Sequence, residues 1–264
     1  MKTWVPDSRN FAYLNWKQVD ALPRESTLLV LPTASIEQHG HHLPVATDTL
    51  INNLLLGRAL ERIEPDLSIY ALPPVHYGKS NEHIGFPGTL SLTSTTFMAV
   101  VHDIGASVSS VGFKKLVLYN THGGNTSLVD VMARDLRQEF GLQTFALHGS
   151  GGIAFEGLDP QERVYGFHAG EVETAYLLAS VPELVDRSAL TSNYIAQVSK
   201  PAVLSPEGGA ATFGWLTRDI AESGVLGDPR PATRENGERW LNEAAIKLAA
   251  ALTAMYHHGG PGSA

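Results

Sequence analysis

Short apolar runs that alternate with longer segments of helical periodicity are the feature that most constrains this chain. The clearest run is Lys115–Asn120, and an amphipathic segment, Ser127–Phe140, follows it. An apolar run bounded by turn residues indicates a buried strand, and apolar residues at helical spacing indicate a helix. Further strands are predicted at Ser26–Leu31, Leu67–Leu72 and Leu142–Leu147, and further helices at Asp48–Leu60, Ser94–Val111, His168–Ala179 and Ala232–Tyr256. Ser94 or Thr95 is the expected N-cap of the helix Ser94–Val111. Gly141 is the expected C-cap of the helix Ser127–Phe140.

This alternation predicts an α/β fold with a mostly parallel sheet covered by helices on both faces. No linker, composition shift or internal repeat divides the 264 residues. We therefore predict one domain over residues 1–258 and a flexible tail at 259–264. Two long Gly- and Pro-rich stretches, 149–166 and 199–230, are predicted to be functional loops. In such sheets, ligand sites form where loops leave the carboxyl ends of the strands.

Composition argues against several classes of partner. The formal net charge is −8 and Lys114-Lys115 is the only basic doublet, so we predict no nucleic-acid partner. No apolar run approaches the roughly 20 residues that span a bilayer, and Met1–Asn10 has no apolar signal core. We therefore expect a cytoplasmic protein without a membrane partner. The chain has no cysteine, so a metal ion would be held by His and carboxylate side chains. Only 17% of residues are charged, which favours a surface buried between subunits.

The richest polar segment, Glu37–Pro44 (EQHGHHLP), follows the first predicted strand and precedes Asp48. In an extended segment Glu37 and His39 share one face, so both side chains can point at one metal cluster. Asp48 stands at a predicted helix start, where it can be an N-cap, a metal ligand or both. We interpret His41 by itself as a surface residue.

Two further motifs add His and carboxylate side chains. His122-Gly123-Gly124-Asn125 ends the clearest strand, and its glycines allow a tight turn close to a ligand. Asn125 either belongs to this site or caps the following helix. In the third motif, His168 and Glu171 lie three residues apart on one face of a predicted helix. Glu173 lies on a different face, so only one of the two glutamates is expected to reach the metal.

Together the motifs supply Glu, His, Asp, His and Glu side chains as ligands. Nitrogen and oxygen donors of this kind suit Zn²⁺, Mn²⁺ or Fe²⁺. Their number exceeds what one ion needs, and an aspartate that bridges two ions accommodates all of them. Such a pair of ions lowers the pKa of a bound water and stabilises a developing oxyanion.

With these motifs the chain resembles the creatininase family of creatinine amidohydrolase-like proteins. The matching stretches are EQHGHHLP with Asp48, GKSNEHIGFPGTLSL at Gly78–Leu92, LVLYNTHGGN at Leu116–Asn125, HAGEVETA at His168–Ala175 and GVLGDPRPAT at Gly224–Thr233. They cover most of the chain in the family's order. The resemblance implies a single-domain three-layer α/β/α sandwich and two divalent metal ions per chain, with zinc favoured over manganese or iron. It also implies a homo-oligomer, with a hexamer favoured.

The resemblance implies a role for each candidate residue. The expected metal ligands are Glu37 and His122 for one ion, His39 and Glu173 for the other, and Asp48 as the bridge. His168 is expected to carry a proton or to orient the substrate, and with Glu173 it forms the expected catalytic pair. The residues expected to bind the substrate or to support the ligands are His83, Asn125 and His42.

Two departures from the family pattern bear on the substrate. True creatininases read His-Tyr-Glu-Asn at the position of His122–Asn125 and use that glutamate as a ligand, whereas Gly124 stands here. We assign Glu173 in its place, with Glu171 as the alternative. The family's substrate-covering tryptophan is also missing, because the segment before His168 reads VYGF. Creatinine is therefore not the favoured substrate.

The favoured function is hydrolysis of an amide-type C–N bond in a small molecule, either a cyclic amide or a formamide. Metal-bound hydroxide would attack the carbonyl, and His168 would pass a proton to the leaving nitrogen. The alternatives are a peptidase that trims a precursor peptide of the mycofactocin type, creatinine hydrolysis itself, phosphoester hydrolysis and a non-catalytic metal-binding scaffold. The lack of a basic cluster argues against phosphoester hydrolysis, and the filled ligand positions argue against the scaffold.

Overall fold

The computed structural model describes residues 3–195, 204–205 and 210–260. Its strands are β1 Leu28–Thr33, β2 Ile69–Ala71, β3 Lys115–Asn120, β4 Gln143–His148, β5 Leu204–Ser205 and β6 Ala211–Thr212. Its α-helices are α1 Trp16–Asp20, α2 Thr47–Leu60, α3 Ser94–Ser110, α4 Thr126–Phe140, α5 Pro160–Tyr165, α6 Glu171–Ser180, α7 Thr217–Ile220 and α8 Arg234–His257. Short 3-10 helices lie at Asp7–Arg9, Phe11–Tyr13, Asn81–His83, Gly123–Asn125, Pro182–Leu184 and Arg187–Ala189. Most of the predicted tail, 261–264, and parts of the predicted 199–230 loop lie outside the described residues.

A four-stranded parallel sheet in the order β2-β1-β3-β4 forms the centre of the described chain. Leu28 of β1 lies opposite Ile69 on one side and Lys115 on the other, and Lys115 lies opposite Gln143. Strands β5 and β6 form a separate two-stranded pair. The predicted mostly parallel α/β fold is confirmed.

Two apolar layers enclose the sheet, because side chains along a strand alternate between its faces. On one face Leu28 and Val30 of β1 pack with α2, α6 and α8. On the other face Leu29 and Leu31 pack with α3 and α4. Every residue of β1 is buried, as expected for a central strand of a parallel sheet. The result is the three-layer α/β/α sandwich that the resemblance implied.

The strand order of the sheet reverses between β1 and β3, and a ligand site can form at this switch point. From β1 the chain crosses through α2 to β2 on one side, whereas from β3 it crosses through α4 to β4 on the other side. The loops that follow β1 and β3 therefore diverge and open a crevice at the carboxyl edge of the sheet. The first two sequence motifs are these loops.

Three element ends bear on the predictions. Helix α4 ends at Gly141 with a left-handed backbone (φ 68°), as predicted. The N-cap of α3 is Thr93, whose side chain accepts from the Thr96 N–H at 3.1 Å, so the predicted cap at Ser94 or Thr95 was wrong. Helix α6 begins at Glu171 and not at His168.

The late start of α6 corrects the predicted helical face of the third motif. Ala169 has a left-handed backbone (φ 54°) and Gly170 is extended, so His168 lies outside the helix. His168 instead pairs with Leu226 in an antiparallel bridge. Its spacing from Glu171 therefore does not place the two side chains on one helical face. Among the described helices, none combines the length and apolar character needed to cross a membrane.

Candidate metal centre

The five predicted metal ligands converge at the crevice between β1 and β3. They are Glu37 and His39 in the loop after β1, Asp48 in the first turn of α2, His122 after β3, and Glu173 in the first turn of α6. The first four are buried, whereas the Glu173 side chain is 25% exposed. The parallel sheet thus brings together side chains that are far apart in sequence.

The two oxygens of Asp48 face two different histidines. Oδ2 of Asp48 lies 3.2 Å from His122 Nδ1, and Oδ1 lies 3.6 Å from His39 Nε2. On the first side, Glu37 Oε2 lies 3.3 Å from the same His122 nitrogen. On the second side, Glu173 Oε1 lies 3.8 Å from the same His39 nitrogen. The donors therefore form two neighbouring groups that share Asp48.

The donor atoms fit a bound cation. The His39 Nδ1–H donates to the Glu37 carbonyl at 3.1 Å, and the His122 Nε2–H donates to the Lys79 carbonyl at 2.9 Å. A carbonyl can only accept, so the free lone pair of each ring faces the carboxylates. Among the described residues, His39 Nε2 and Asp48 Oδ2 are buried without a hydrogen-bond partner. Buried polar atoms are rarely left unpaired, and divalent cations bound in the two groups would satisfy them.

Electrostatics also favour positive charge at each histidine. Burial opposes a charged His39, but Glu173 and Asp48 outweigh it and hold the pKa of this ring well above its ordinary value. Burial and Glu37 compete in the same way at His122, whose pKa is also well raised. Burial opposes ionisation of Glu173, yet His39 lowers its pKa to about 2. Glu173 is thus ionised and attracts a cation, either a proton or a metal ion.

His168 and His83 lie beside the cluster as a stack of rings. The His168 ring centroid is 4.2 Å from that of His39 and 4.0 Å from that of His83. His168 Nδ1 lies 3.6 Å and His83 Nε2 3.4 Å from Glu37 Oε1. Burial lowers the pKa of both rings, that of His83 to about 2. Both are therefore neutral at neutral pH, and His168 is in a state that can accept a proton.

The other predicted residues have different surroundings. The Asn125 side chain donates to the Ala34 carbonyl at 3.0 Å and accepts from the Lys79 N–H at 2.9 Å, so it ties loops together. It makes no side-chain cap to α4. His42 Nε2 lies 3.0 Å from Thr174 Oγ1, and burial lowers the pKa of His42 to about 4. His41 is exposed.

Gly124 has no room for a side chain. A Cβ at this position would lie 2.3 Å from both Glu82 Oε1 and the Lys79 carbonyl. The carboxylate that true creatininases carry here therefore cannot be accommodated without movement of Glu82. Glu171 is buried, and among its neighbours is Asn236 of α8. Of the two glutamates at the start of α6, Glu173 is the one beside His39.

Gln38 contacts the two rings beside the cluster, and the sequence pattern did not identify it as a site residue. Its side-chain nitrogen donates to the Gly224 carbonyl at 2.9 Å and lies 3.0 Å from His83 Nδ1 and 3.1 Å from His168 Nε2. Its oxygen accepts from the Gly40 N–H at 2.8 Å. The Gln38 side chain thus orients His83, and the Gln38 backbone carbonyl orients His168 by accepting from its Nε2–H at 2.6 Å. Its place between Glu37 and His39 was the available signal.

Three further side chains support the ligands. Ser35 donates to Glu37 Oε2 at 2.8 Å. Ser80 Oγ lies 3.2 Å and Glu82 Oε1 lies 3.5 Å from His122 Nε2. Ser80 and Glu82 belong to the GKSNEH stretch, but nothing in their spacing distinguishes them from surface residues.

A cavity of about 270 Å³ reaches the cluster along His168 and Glu173. Its wall also includes the apolar side chains of Phe155, Leu158 and Val172. Glu162 and Arg163 line it as well, so a molecule in this cavity would meet apolar and charged side chains beside the cluster.

Comparison with known proteins gives the family. The sequence model of the creatininase family, described as creatinine amidohydrolase, matches residues 12–252. The chain is 32% identical over 218 residues to the mycofactocin precursor peptide peptidase of Mycolicibacterium smegmatis, covering 82% of this chain and 80% of that protein. It is 31% identical over 262 residues to the creatinine amidohydrolase of Pseudomonas putida, covering 90% and 94%. A solved creatininase variant of the Zn-Zn type superposes with a TM-score of 0.73 at 28% identity, covering 98% of this chain and 100% of that one. This chain therefore belongs to the creatininase family of hydrolases.

Proposed function

We propose that the chain is a two-metal hydrolase that cleaves an amide-type C–N bond. The observation that carries the proposal is the position of Asp48, whose two oxygens face His122 and His39 separately. Glu37 would complete the first ion's site and Glu173 the second. Zinc is favoured, with manganese or iron as alternatives for the same donors. When bound, the ions would lower the pKa of a water molecule and polarise the substrate carbonyl.

His168 is the proposed proton carrier of the reaction. Its Nε2–H donates to the Gln38 carbonyl at 2.6 Å, so Nδ1 is the nitrogen that can take up a proton. Nδ1 lies beside Glu37 at the edge of the cluster, where the same ring lines the cavity. From this position His168 can deliver the proton to the leaving nitrogen. The Gln38 carbonyl holds the His168 ring at Nε2, and the His83 ring packs against it at a centroid distance of 4.0 Å.

The proposed substrate is a small-molecule amide, either a cyclic amide or a formamide. A second candidate is a short peptide, so that the chain would be a peptidase. Two observations favour it: the 32% identity to a precursor peptide peptidase, and the apolar cavity wall of Phe155, Leu158 and Val172. Creatinine is the weaker candidate, because Gly124 departs from the creatininase pattern.

A hydrolysis screen of the zinc-loaded protein tests the proposal. Creatinine, other cyclic amides, formamides and short peptides with apolar residues are incubated with the protein, and products are identified by mass spectrometry. We expect C–N cleavage in one amide class, lost in Asp48→Asn and after treatment with a chelator. Hydrolysis that is unchanged in Asp48→Asn would contradict a two-metal mechanism.

We also propose that the chain forms a homo-oligomer, with a hexamer favoured. Its described surface exposes large apolar side chains, including Trp16 at 75% and Leu90 at 54%. A subunit interface that covered these side chains would remove their apolar surface from water.

A further inference from the structure

A buried carboxylate outside the proposed ligand set lies at the start of α6. Glu162 of α5 is 4% exposed, and its Oε1 accepts from the Glu171 N–H at 2.8 Å. Its Oε2 accepts from the Asp228 N–H at 2.8 Å and from the Tyr194 hydroxyl at 3.0 Å. Three donors from three separate segments thus meet on one side chain.

The segments that Glu162 joins are already paired with one another. His168 bridges to Leu226, and Asn193 bridges to Gly227, each in antiparallel fashion. Glu162 lies where these bridges and the first turn of α6 come together. Since the N-cap Gly170 has no side chain to cap α6, the Glu162 carboxylate takes that role from another helix.

The surrounding glycines show how closely this carboxylate is enclosed. A Cβ at Gly170 would lie 2.0 Å from Glu162 Oε1, and one at Gly227 would lie 2.8 Å from it. At Gly166 a Cβ would lie 2.5 Å from the Glu162 carboxyl carbon. The backbone approaches the carboxylate from three sides, and only glycine permits this approach.

The same first turn of α6 carries Glu173. The Ala169 N–H donates to Glu173 Oε2 at 2.6 Å, while Oε1 faces His39 Nε2 at 3.8 Å. Ala169 adopts a left-handed backbone (φ 54°), which an alanine adopts only where its surroundings enforce it. The bonds of Glu162 to the Glu171 and Asp228 amides flank this strained residue and its neighbour His168.

We propose that Glu162 is a positioning residue whose buried carboxylate sets the turn from His168 to Glu173, and thereby the affinity of the ion beside His39. The inference rests on the proposed two-metal function. Glu162 also lines the cavity beside His168 and Glu173, and the inference assigns it no bond to the ions.

Glu162→Gln tests this role with little change of shape. An amide has one acceptor oxygen, so its NH₂ group would face at least one of the three donors. Glu156→Gln is the matched control, because Glu156 is exposed in the preceding loop and the charge change is the same. The probe is Zn²⁺ alone, titrated against a competing chelator. We expect Glu162→Gln to weaken zinc binding at one of the two sites about 10- to 100-fold and to leave the other site unchanged. The melting temperature of the zinc-saturated variant should match that of the wild type within a few degrees.

Amide hydrogen exchange at saturating Zn²⁺ locates the effect. In Glu162→Gln, exchange should rise in peptides covering 166–173 and 226–230, but not in β3 or α4. Tyr194→Phe removes one donor and keeps the carboxylate, so it should weaken zinc binding at the same site only a few-fold. This variant replaces Glu162→Gln in the test if Glu162→Gln does not fold. Equal weakening of both zinc sites, or zinc binding equal to that of Glu156→Gln, would overturn the inference. A wild-type protein that binds fewer than two zinc ions would instead overturn the proposed function.

Discussion

Glu173 and Ala169 are joined by a 2.6 Å hydrogen bond in which the backbone N–H of Ala169 donates to Oε2 of the carboxylate. This bond leaves Oε1 of Glu173 directed at His39 Nε2, 3.8 Å away. Glu171, on the same helical turn, is buried against Asn236 instead. The structure thus separates two glutamates that lie two residues apart.

Glu173→Gln should weaken the ion beside His39 and reduce turnover about 10- to 100-fold, because the amide keeps the shape of the side chain but removes its charge. Glu171→Gln is the matched control, and we expect it to retain both ions. Metal content and hydrolysis rate of the two variants decide between the glutamates. Two full ions and near-normal turnover in Glu173→Gln would exclude this ligand assignment.

Asp48→Ala should abolish hydrolysis, because one aspartate would serve both ions. His41→Ala should have little effect, because His41 is exposed in the same loop region. Initial rates measured at equal zinc concentration compare the two variants. A severe loss in His41→Ala together with a mild loss in Asp48→Ala would show that the ligands are wrongly assigned.

Gly224→Ala tests whether Gln38 is as closely packed as the structure indicates. A Cβ at this position would lie 2.0 Å from Gln38 Oε1, and the backbone is left-handed (φ +80°). The control is Gly152→Ala, which has a similar backbone (φ +72°) and no atom within 4 Å of the added Cβ. Gly152→Ala should lower the free energy of unfolding by about 1 kcal/mol through backbone strain.

Gly224→Ala should lower the free energy of unfolding by about 1–3 kcal/mol more than its control, because the added methyl group must displace Gln38. Urea denaturation of both variants measures the difference. Equal losses of stability would mean that the Gln38 side chain moves freely, and its role in orienting His83 would have to be abandoned.

The fold was predictable because its signals are local. The apolar runs of β1 and β3 and the amphipathic pattern of α4 depend on neighbouring residues alone, and Gly141 marks the end of α4 by its backbone freedom. The start of α6 was not predictable in the same way. Ala169 adopts a left-handed backbone there, and the bonds that flank it come from Glu162, in a different helix.

The candidate site also has residues that local sequence predicts and residues that it does not. The His and carboxylate side chains in EQHGHH and HGGN are recognisable as possible metal ligands by residue type. Both motifs follow strands of a parallel sheet, so the sequence also predicts that these side chains lie close together. The contacts that support these side chains are not visible in the sequence. Gln38 and Gly224, for example, are 186 residues apart, and only the folded chain brings them together. The residue types of Ser35, Ser80 and Glu82 give no signal, since Ser and Glu are ordinary surface residues, and only the resemblance of the GKSNEH stretch points to Ser80 and Glu82.

We expect the protein to be a homo-oligomer at micromolar concentration. Multi-angle light scattering of the purified chain measures its mass directly, and a hexamer is the favoured result. The mass should not depend on salt concentration if apolar side chains such as Trp16 and Leu90 are buried between subunits. A monomeric mass across the micromolar range would contradict this expectation.

Metal stoichiometry tests the central claim most directly. Protein purified without chelator is saturated with Zn²⁺, passed over a desalting column, and analysed for zinc and protein by inductively coupled plasma mass spectrometry. Asp48→Asn is measured beside it, because the shared aspartate should be needed for both ions. The account predicts two zinc ions per wild-type chain and a loss of bound zinc in Asp48→Asn. At most one ion per wild-type chain under these saturating conditions would contradict it.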